Sequence, residues 1–289
     1  MSEANTGNER PHVTGDAVVD DGTASGTGTA VAGGGEVSES GVALVTGANK
    51  GIGFEVAKQL AERGFTVLLA ARDPRQGADA AAVLKEAGLD VQPVVLDVTD
   101  PVTIEAAAEL VARQAGRLDV LVNNAGISGG FGNAPSQADL DVVREVFETN
   151  LFGVIRVTNA MLPLLRRSRA GRIVNLSSGT ASLADMADPG HHFAHMPPSA
   201  AYPVSKTALN MLTVQYAKEL RPEGILVNAA APGACATDFI AGFDLAMGGG
   251  RPPISRTAAQ GAAIVVHLAT LPDDGPTGAY LHDDGPVRW

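Results

Sequence analysis

The sequence predicts an α/β fold, with a doubly wound parallel sheet of about seven strands in one domain. Short apolar runs of strand length alternate with helical stretches from Val42 to the C-terminus, which is the pattern of repeated βαβ units. The first apolar run leads directly into a glycine-rich turn that opens a helix. At 289 residues the chain is also long enough to bury a sizeable core.

Composition excludes several classes of partner. The net charge of −11 argues against nucleic acid or an anionic membrane surface, and no apolar run approaches membrane-spanning length. The N-terminus lacks the basic and apolar regions of a secretory signal. The single cysteine, Cys235, excludes an intramolecular disulfide and fits a reducing compartment. We therefore expect a soluble, cytoplasmic protein that acts on a small molecule.

The first 40 residues differ from the rest of the chain. They contain no Leu, Ile, Phe, Tyr or Trp and are rich in Gly, Ser, Thr, Asp and Glu. Such a segment cannot bury enough apolar surface to offset its ordering entropy, so residues 1–40 are predicted to be a disordered extension. A regulatory or partner-binding tail is the alternative. The folded domain is predicted to cover residues 41–289.

The first βα unit carries a nucleotide-binding pattern. Residues 42–45 form an apolar strand, residues 54–62 a helix, and Gly47, Gly51 and Gly53 lie between them with the spacing Gly-x-x-x-Gly-x-Gly. Glycines let the backbone approach a pyrophosphate, and the helix N-terminus supplies amide donors. The pattern predicts a dinucleotide site in a Rossmann-type fold.

The end of the second strand, Thr66–Ala71, bears on the choice of dinucleotide. An NAD-binding unit usually places an acid there to hold the adenosine ribose. Here Ala71 is followed by Arg72, and Lys50 already lies in the glycine turn. Two cations suit a 2′-phosphate, so NADP is favoured over NAD. Asp73 is an acid close to this position, so NAD remains the alternative unless Asp73 pairs with Arg72 or begins the next helix.

The remaining elements continue the alternation. Strands are predicted at residues 91–96, 118–122, 172–176, 225–229 and 279–282, and helices at residues 101–114, 140–165, 202–220 and 257–268.

A tyrosine and a lysine at helical spacing predict acid–base chemistry. Of the three tyrosines, only Tyr202 has a lysine four residues later, Lys206, which places both on one helix face. A neighbouring ammonium group is expected to lower the pKa of the phenol, and a serine at the end of the preceding strand could bind the same substrate oxygen. Together they would interconvert a carbonyl and an alcohol. If the Tyr-x-x-x-Lys spacing is considered by itself, the alternative is that the two residues are only a pair on a helix surface.

The ordered set of motifs resembles the short-chain dehydrogenase/reductase family over about residues 42–289. It comprises Thr46-Gly47-x-x-x-Gly51-x-Gly53, Asp97, Asn123-Asn124-Ala125-Gly126, Asn150, Ser178, Tyr202-x-x-x-Lys206 and Pro232-Gly233-x-x-x-Thr237. Lys50, the Ala71-Arg72-Asp73 run and the C-terminal residues look similar to NADP-dependent carbonyl reductases.

The resemblance implies reversible reduction of a ketone or aldehyde and a role for each catalytic residue. Tyr202 would be the general acid in reduction and Lys206 would assist it and bind the nicotinamide ribose. Ser178, rather than Ser177, would polarise the substrate carbonyl. Asn150 would hold a water that links Lys206 to solvent.

The same resemblance implies a set of cofactor contacts. Asp97 and Val98 would contact adenine, and Thr237 would meet the carboxamide. The full set is Gly47, Asn49, Lys50, Gly51, Ile52, Gly53, Arg72, Asp97, Val98, Asn124, Ala125, Gly126, Tyr202, Lys206, Pro232, Gly233 and Thr237. Asn124 and Asn150 could instead satisfy buried backbone groups.

Other functions remain open at this point. An NAD-dependent alcohol dehydrogenase or a biosynthetic ketoreductase would carry a similar sequence, and a dinucleotide-sensing protein without catalysis could keep the fold. The presence of all four of Asn150, Ser178, Tyr202 and Lys206 favours an enzyme.

Two variable segments are expected near the substrate. Residues 179–201 contain His191, His192 and His195, which lack an acid or cysteine at ligand spacing, so we predict a loop beside the substrate rather than a metal site. The resemblance implies that an insertion here hinders helix-to-helix assembly, which leaves homo-oligomer formation open.

Residues 238–255 carry an apolar cluster, Phe239, Ile240, Phe243 and Met247, then three glycines, which suits a lid or a small amphipathic helix. Cys235 is predicted to be a small packing residue rather than a reactive thiol.

Overall fold

An eight-stranded sheet forms the centre of the structure, a computed structural model that describes residues 40–130, 133–240 and 256–289. The strand order is β3-β2-β1-β4-β5-β6-β7-β8, and every neighbouring pair is parallel except β7 with β8. The strands are β1 Val42–Thr46, β2 Thr66–Ala71, β3 Val91–Val95, β4 Val120–Asn123, β5 Arg172–Leu176, β6 Leu226–Ala230, β7 Tyr280–His282 and β8 Gly285–Pro286. The chain reverses direction across the sheet between β1 and β4, where ligands of open α/β sheets bind.

Eight α-helices are described, and they cover both faces of the sheet. They are α1 Gly51–Ala61, α2 Pro74–Glu86, α3 Pro101–Gln114, α4 Leu140–Phe147, α5 Gly153–Leu165, α6 Leu183–Ala187, α7 Tyr202–Leu220 and α8 Ala258–Ala269. Aspartates cap three of them: the side chains of Asp73, Asp100 and Asp139 accept backbone N–H bonds at the starts of α2, α3 and α4. Each cap fixes the residue at which its helix begins.

Two apolar layers lie on opposite sides of the sheet. Ala43 and Val45 of β1 point into the layer shared with α1, α2 and α8, while Val42 and Leu44 point into the layer shared with α3, α5 and α7. Alternate residues of a strand face opposite sides, so a strand buried on both faces must be apolar throughout. All five residues of β1 are buried, which explains the continuous apolar run in its sequence.

The predicted fold class is confirmed, with some differences in detail. The final two-residue strand adds to the expected seven, and α2 and the short α6 were not predicted. Asp73, which the sequence left open, begins α2 as its N-cap. The predicted helix at residues 140–165 is three consecutive pieces, because a π-helical turn at Glu148–Phe152 separates α4 from α5. An extra residue in a helical turn re-aims the side chain within it, and Asn150 lies in this turn.

Two predictions fall partly or wholly outside the described residues. The disordered extension was predicted for residues 1–40, of which 1–39 lie outside the described residues, and the lid was predicted for residues 238–255, of which 241–255 lie outside them. Across the described ranges, none of the helices combines the length and the apolar character needed to cross a membrane.

Candidate active site

One cavity of about 1130 Å³ opens at the carboxyl ends of the central strands. It is lined by Ser178 and by every residue predicted to contact the cofactor: Gly47, Asn49, Lys50, Gly51, Ile52, Gly53, Arg72, Asp97, Val98, Asn124, Ala125, Gly126, Tyr202, Lys206, Pro232, Gly233 and Thr237. Of the four residues predicted to be catalytic, Asn150 alone is not among the lining residues. The topology thus brings residues that are up to 190 positions apart in the sequence to one edge of the sheet.

The glycine turn at the start of α1 suits an anionic ligand. Gly47 has a φ of 62°, in the left-handed region, and a Cβ at Gly53 would lie 2.6 Å from the carbonyl oxygen of Gly47. The turn therefore excludes larger residues at these positions. Helix α1 has no side-chain cap at Lys50, whereas aspartates cap α2, α3 and α4, and the first turn of α1 contains no acid. Its first amides and positive dipole end therefore fit a pyrophosphate.

Thr46 and Asn124 stabilise this turn through hydrogen bonds. The Thr46 hydroxyl accepts from the backbone N–H groups of Asn124 and Ala125 at 3.0 and 3.1 Å. The Asn124 amide donates to the carbonyl oxygens of Thr46 and Gly47 at 2.8 and 3.0 Å. Asn124 thus takes the backbone-satisfying role given as its alternative. No separate role was predicted for Thr46. A hydroxyl residue at the end of a buried apolar strand was the signal in the sequence that could have indicated this role.

Lys50 and Arg72, the two cations predicted to hold a 2′-phosphate, both line the cavity. Lys50 Nζ lies 2.9 Å from Asp238 Oδ2, and Arg72 is exposed without an ion-pair partner among the described residues. The Asp73 carboxylate accepts from the backbone N–H groups of Arg75 and Gln76 at 2.9 and 3.1 Å. Its lone pairs are therefore partly committed to capping α2.

Ser178 and Tyr202 come together at the ends of β5 and α7. Tyr202 is the first residue of α7 and Ser178 follows β5 by two residues. The Ser178 hydroxyl lies 2.9 Å from that of Thr180. Burial raises the pKa of the half-buried Tyr202 to about 12, and a hydrogen bond with the Ser178 side chain acts in the opposite direction. Tyr202 is therefore a neutral, proton-bearing phenol at neutral pH.

Lys206 lies behind Tyr202 on the same face of α7. Its Nζ donates to the Leu176 carbonyl oxygen at 2.7 Å and lies 5.9 Å from the centre of the Tyr202 ring. Burial lowers the pKa of this lysine to about 8. The pKa of Tyr202 is thus raised, not lowered as expected from the neighbouring ammonium group, and burial is the largest cause of the shift.

Asn150 is fully buried and connects the loop after β4 to α7. Its Oδ1 accepts from the Ile127 N–H at 2.9 Å, and its Nδ2 donates to the Ile127 carbonyl and the Ser205 hydroxyl at 2.9 and 3.0 Å. A Cβ at Gly126 would lie 3.2 Å from Asn150 Oδ1 and 3.5 Å from Lys206 Nζ. The missing side chain at Gly126 therefore leaves a gap between the two polar atoms.

The substrate end of the cavity is mainly apolar. The segment between Ser178 and Tyr202 contributes Phe193, Met196 and Pro197, and Phe239 lies with its ring centre 5.2 Å from that of Tyr202. The sequence placed this segment beside the substrate but did not distinguish these residues from their neighbours. An uneven spacing of apolar residues in a loop gives no periodic signal.

The histidines of this segment do not line the cavity. His191 and His192 lie with ring centres 4.4 Å apart, and His191 Nδ1 accepts from the Phe193 N–H. No group of three or more His, Cys, Asp or Glu residues that could hold a metal ion occurs in the described parts of the chain. Cys235 is buried, its thiol donates to the Pro232 carbonyl oxygen, and burial raises its pKa.

The family model of short chain dehydrogenases matches residues 41–244. The short-chain dehydrogenase anuI of Penicillium roqueforti is 38% identical over 234 residues, which cover 79% of this chain and 88% of that protein. The (−)-isopiperitenone reductase of Mentha piperita is 34% identical, with 84% of this chain and 96% of that protein covered. The solved structure of NADPH-bound carbonyl reductase from chicken fatty liver has a TM-score of 0.73 at 29% identity, with 86% of this chain and 99% of that chain covered.

Proposed function

The chain belongs to the short-chain dehydrogenase family of oxidoreductases, and on that premise we propose that it is an NADPH-dependent reductase of a ketone or aldehyde. The observation that carries the proposal is the convergence of Ser178, Tyr202 and Lys206 on one wall of the cavity, with Tyr202 in its proton-bearing form. A reductase needs a proton donor at the substrate oxygen, which a neutral phenol supplies.

Each side chain has a separate task in the reaction. The glycine turn, Lys50 and Arg72 would hold NADPH, which would supply the hydride that a carbonyl carbon accepts. The Ser178 hydroxyl donates a hydrogen bond to the carbonyl oxygen and orients it, and Tyr202 Oη transfers its proton to the same oxygen as negative charge develops. Reversal of these steps oxidises an alcohol, with the Tyr202 phenolate as the base.

Lys206 and Asn150 return a proton to Tyr202. The gap beside Gly126 lies between Lys206 Nζ and Asn150 Oδ1, and both atoms can hydrogen-bond a water there. Because the pKa of Lys206 is lowered to about 8, this ammonium group can release and regain a proton near neutral pH. The Asn150 side chain also holds the loop after β4 beside α7, because it hydrogen-bonds Ile127 in that loop and Ser205 in the helix.

The preference for NADPH rests on charge at the adenosine end. Lys50 and Arg72 both line the cavity, and a 2′-phosphate brings two further negative charges to them. Asp73, the acid that would suit the ribose hydroxyl of NAD, is partly committed to the N–H groups of α2. The carbonyl reductase from chicken fatty liver is described as NADPH-bound, which agrees with this assignment.

The apolar substrate wall favours an uncharged carbonyl compound with an apolar body. Phe193, Met196 and Phe239 can bury such a body, and a desolvated carboxylate would find no arginine among the described residues on that wall. We expect the protein to act as a soluble enzyme of the cytoplasm on a small molecule, without nucleic acid or membrane as partner.

Isothermal titration with NADPH and with NADH tests the cofactor assignment. We expect binding of NADPH at least about tenfold tighter, as a charge-assisted phosphate contact supplies. Turnover is then followed by loss of reduced nicotinamide absorbance with a panel of apolar ketones and aldehydes and a matched panel of keto acids. Equal or tighter NADH binding would identify an NAD-dependent alcohol dehydrogenase, and cofactor binding without turnover of any carbonyl would identify a dinucleotide sensor.

A further inference from the structure

The last ten residues of the chain contact the segment that carries the catalytic serine and the substrate wall. We call residues 280–289 the C-terminal clamp and residues 178–199 the wall segment. Strand β7 begins the clamp beside β6, and the chain returns through β8 so that the Val287 N–H donates to the Tyr280 carbonyl oxygen. The two ends of the clamp meet different parts of the wall segment.

Tyr280 forms the contact with the catalytic serine. Its ring is buried, and its hydroxyl donates a hydrogen bond to the carbonyl oxygen of Ser178. The ring of Trp289 lies with its centre 5.2 Å from that of Tyr280. A buried donor to this carbonyl restricts the peptide whose side chain faces the substrate oxygen.

Arg288 forms the contact with α6. Its Nε donates to Asp185 Oδ1 at 2.7 Å, and its Nη2 donates to Asp188 Oδ2 at 3.1 Å. The Ala184 N–H donates to the Trp289 carbonyl oxygen at 3.1 Å. Arg288 is 57% exposed, but the Asp185 side chain is only 12% exposed, so this carboxylate is poorly solvated without its partner.

Asp188 links this ion pair to the substrate wall. Its Oδ1 accepts from the Gly190 N–H at 3.0 Å and its carbonyl oxygen accepts from the His191 N–H at 2.9 Å, which defines a turn. The turn leads to Phe193, whose ring lies so close to Gly179 that a Cβ there would be 2.7 Å from it. A shift of Asp188 would therefore move an aromatic ring that lines the cavity.

We propose that the C-terminal clamp positions the reaction site, with Tyr280 orienting the Ser178 peptide and Arg288 holding the Phe193 wall. The proposal rests on the proposed reductase function. Neither residue touches the cavity, so both act through others: Tyr280 through Ser178, and Arg288 through Asp185 and Asp188. Loss of the first contact should slow the chemical step, and loss of the second should weaken substrate binding.

Steady-state kinetics with matched controls separates positioning from general stabilisation. Tyr280→Phe removes one buried hydroxyl, and Tyr216→Phe removes another, which donates to Asn159 Oδ1 at 2.8 Å and lies in a different apolar cluster from Tyr280. We expect Tyr280→Phe to lower kcat roughly tenfold with KM and NADPH affinity unchanged, because displaced catalytic groups slow the reaction step. Equal kcat values for the two variants would overturn the role of Tyr280.

Arg288→Gln is compared with Arg166→Gln, since Arg166 makes a similar two-bond pair with Glu223 on the surface. We expect Arg288→Gln to raise KM for an apolar ketone roughly tenfold with kcat changed less than about twofold, and Arg288→Lys to restore part of the loss. A KM equal to that of Arg166→Gln would overturn the role of Arg288.

Hydrogen exchange tests the clamp even if no carbonyl substrate is found. We expect the amides of residues 184–196 to exchange roughly tenfold faster in Arg288→Gln than in Arg166→Gln, while those of α1 do not change. Equal exchange would overturn the clamp whatever the kinetics show. Failure of the wild-type protein to reduce any carbonyl compound with NADPH would overturn the proposed function, and the exchange result would still decide the clamp.

Discussion

The cofactor end and the substrate end of the cavity are built in different ways. At the end expected to hold the cofactor, the chain turns directly from β1 into α1, and Gly47, Gly51 and the first amides of α1 form the turn from residues adjacent in sequence. At the substrate end, the wall segment contacts residues just over a hundred positions later in the chain, Tyr280 and Arg288. The comparison shows that the conformation of the glycine turn is specified locally, whereas that of the wall segment depends on contacts distant in sequence.

The largest change should be a loss of turnover with almost no change in cofactor binding. Tyr202→Phe removes the proton donor and should lower turnover by about 10³-fold, within the usual range for general acid catalysis. NADPH affinity should change less than about twofold, because the phenyl ring still fills the same space. Single-turnover kinetics and titration measure the two effects, with Tyr216→Phe as the control. Retained turnover would contradict the mechanism.

The next effect should be confined to the cofactor end. Arg72→Asp replaces an exposed cation with an acid at the adenosine end and should weaken NADPH binding about tenfold or more, because it repels the 2′-phosphate. NADH binding and kcat should change little. Arg75→Asp is the control, since Arg75 lies on α2 and does not line the cavity. An unchanged preference between the two cofactors would refute the assignment of Arg72.

The pH dependence should have opposite signs in the two directions of reaction. Reduction needs protonated Lys206, whose pKa is lowered to about 8, so its rate should be constant near neutral pH and fall up to about tenfold per pH unit above that value. Oxidation needs the Tyr202 phenolate, whose pKa is raised to about 12, so its rate should rise with pH. Profiles of kcat/KM against pH in both directions measure this, and parallel profiles would contradict it.

The smallest effect should come from a contact between the two ends. Asp238, next to Phe239 of the substrate wall, pairs with Lys50 of the glycine turn, and this pairing lowers the pKa of the Asp238 carboxyl group. Asp238→Asn should tighten NADPH binding about threefold at low salt, because it frees Lys50 and removes a charge that repels the phosphate. Asp141→Asn, in an exposed pair with Arg144, is the control. Weaker NADPH binding in Asp238→Asn would show that the pair assists the cofactor site.

Most of the regular elements, although not α2 and α6, were predicted because their signals are local. The apolar run of β1 and the proline at the start of α3 lie within a few residues of the structure that they specify, and α3 has the predicted bounds Pro101–Gln114. The π-helical turn at Glu148–Phe152 was missed, because the apolar spacing continues through it and the cause of the turn lies elsewhere. Asn150 is bonded to Ile127 and Ser205, on two other elements.

The fold class and the glycine turn at the start of α1 could be read from the sequence alone, and the residues predicted to contact the cofactor do line one cavity. Glycine spacing, strand alternation and the Tyr202–Lys206 interval specify backbone conformation directly, so they can be read without knowledge of distant contacts. The direction of the Tyr202 pKa shift and the place of the substrate wall depend on the tertiary structure. Burial raises the pKa of Tyr202, and burial is a property of the whole fold. Phe193 reaches the cavity because Asp188 and Arg288 are brought together by the order of the strands.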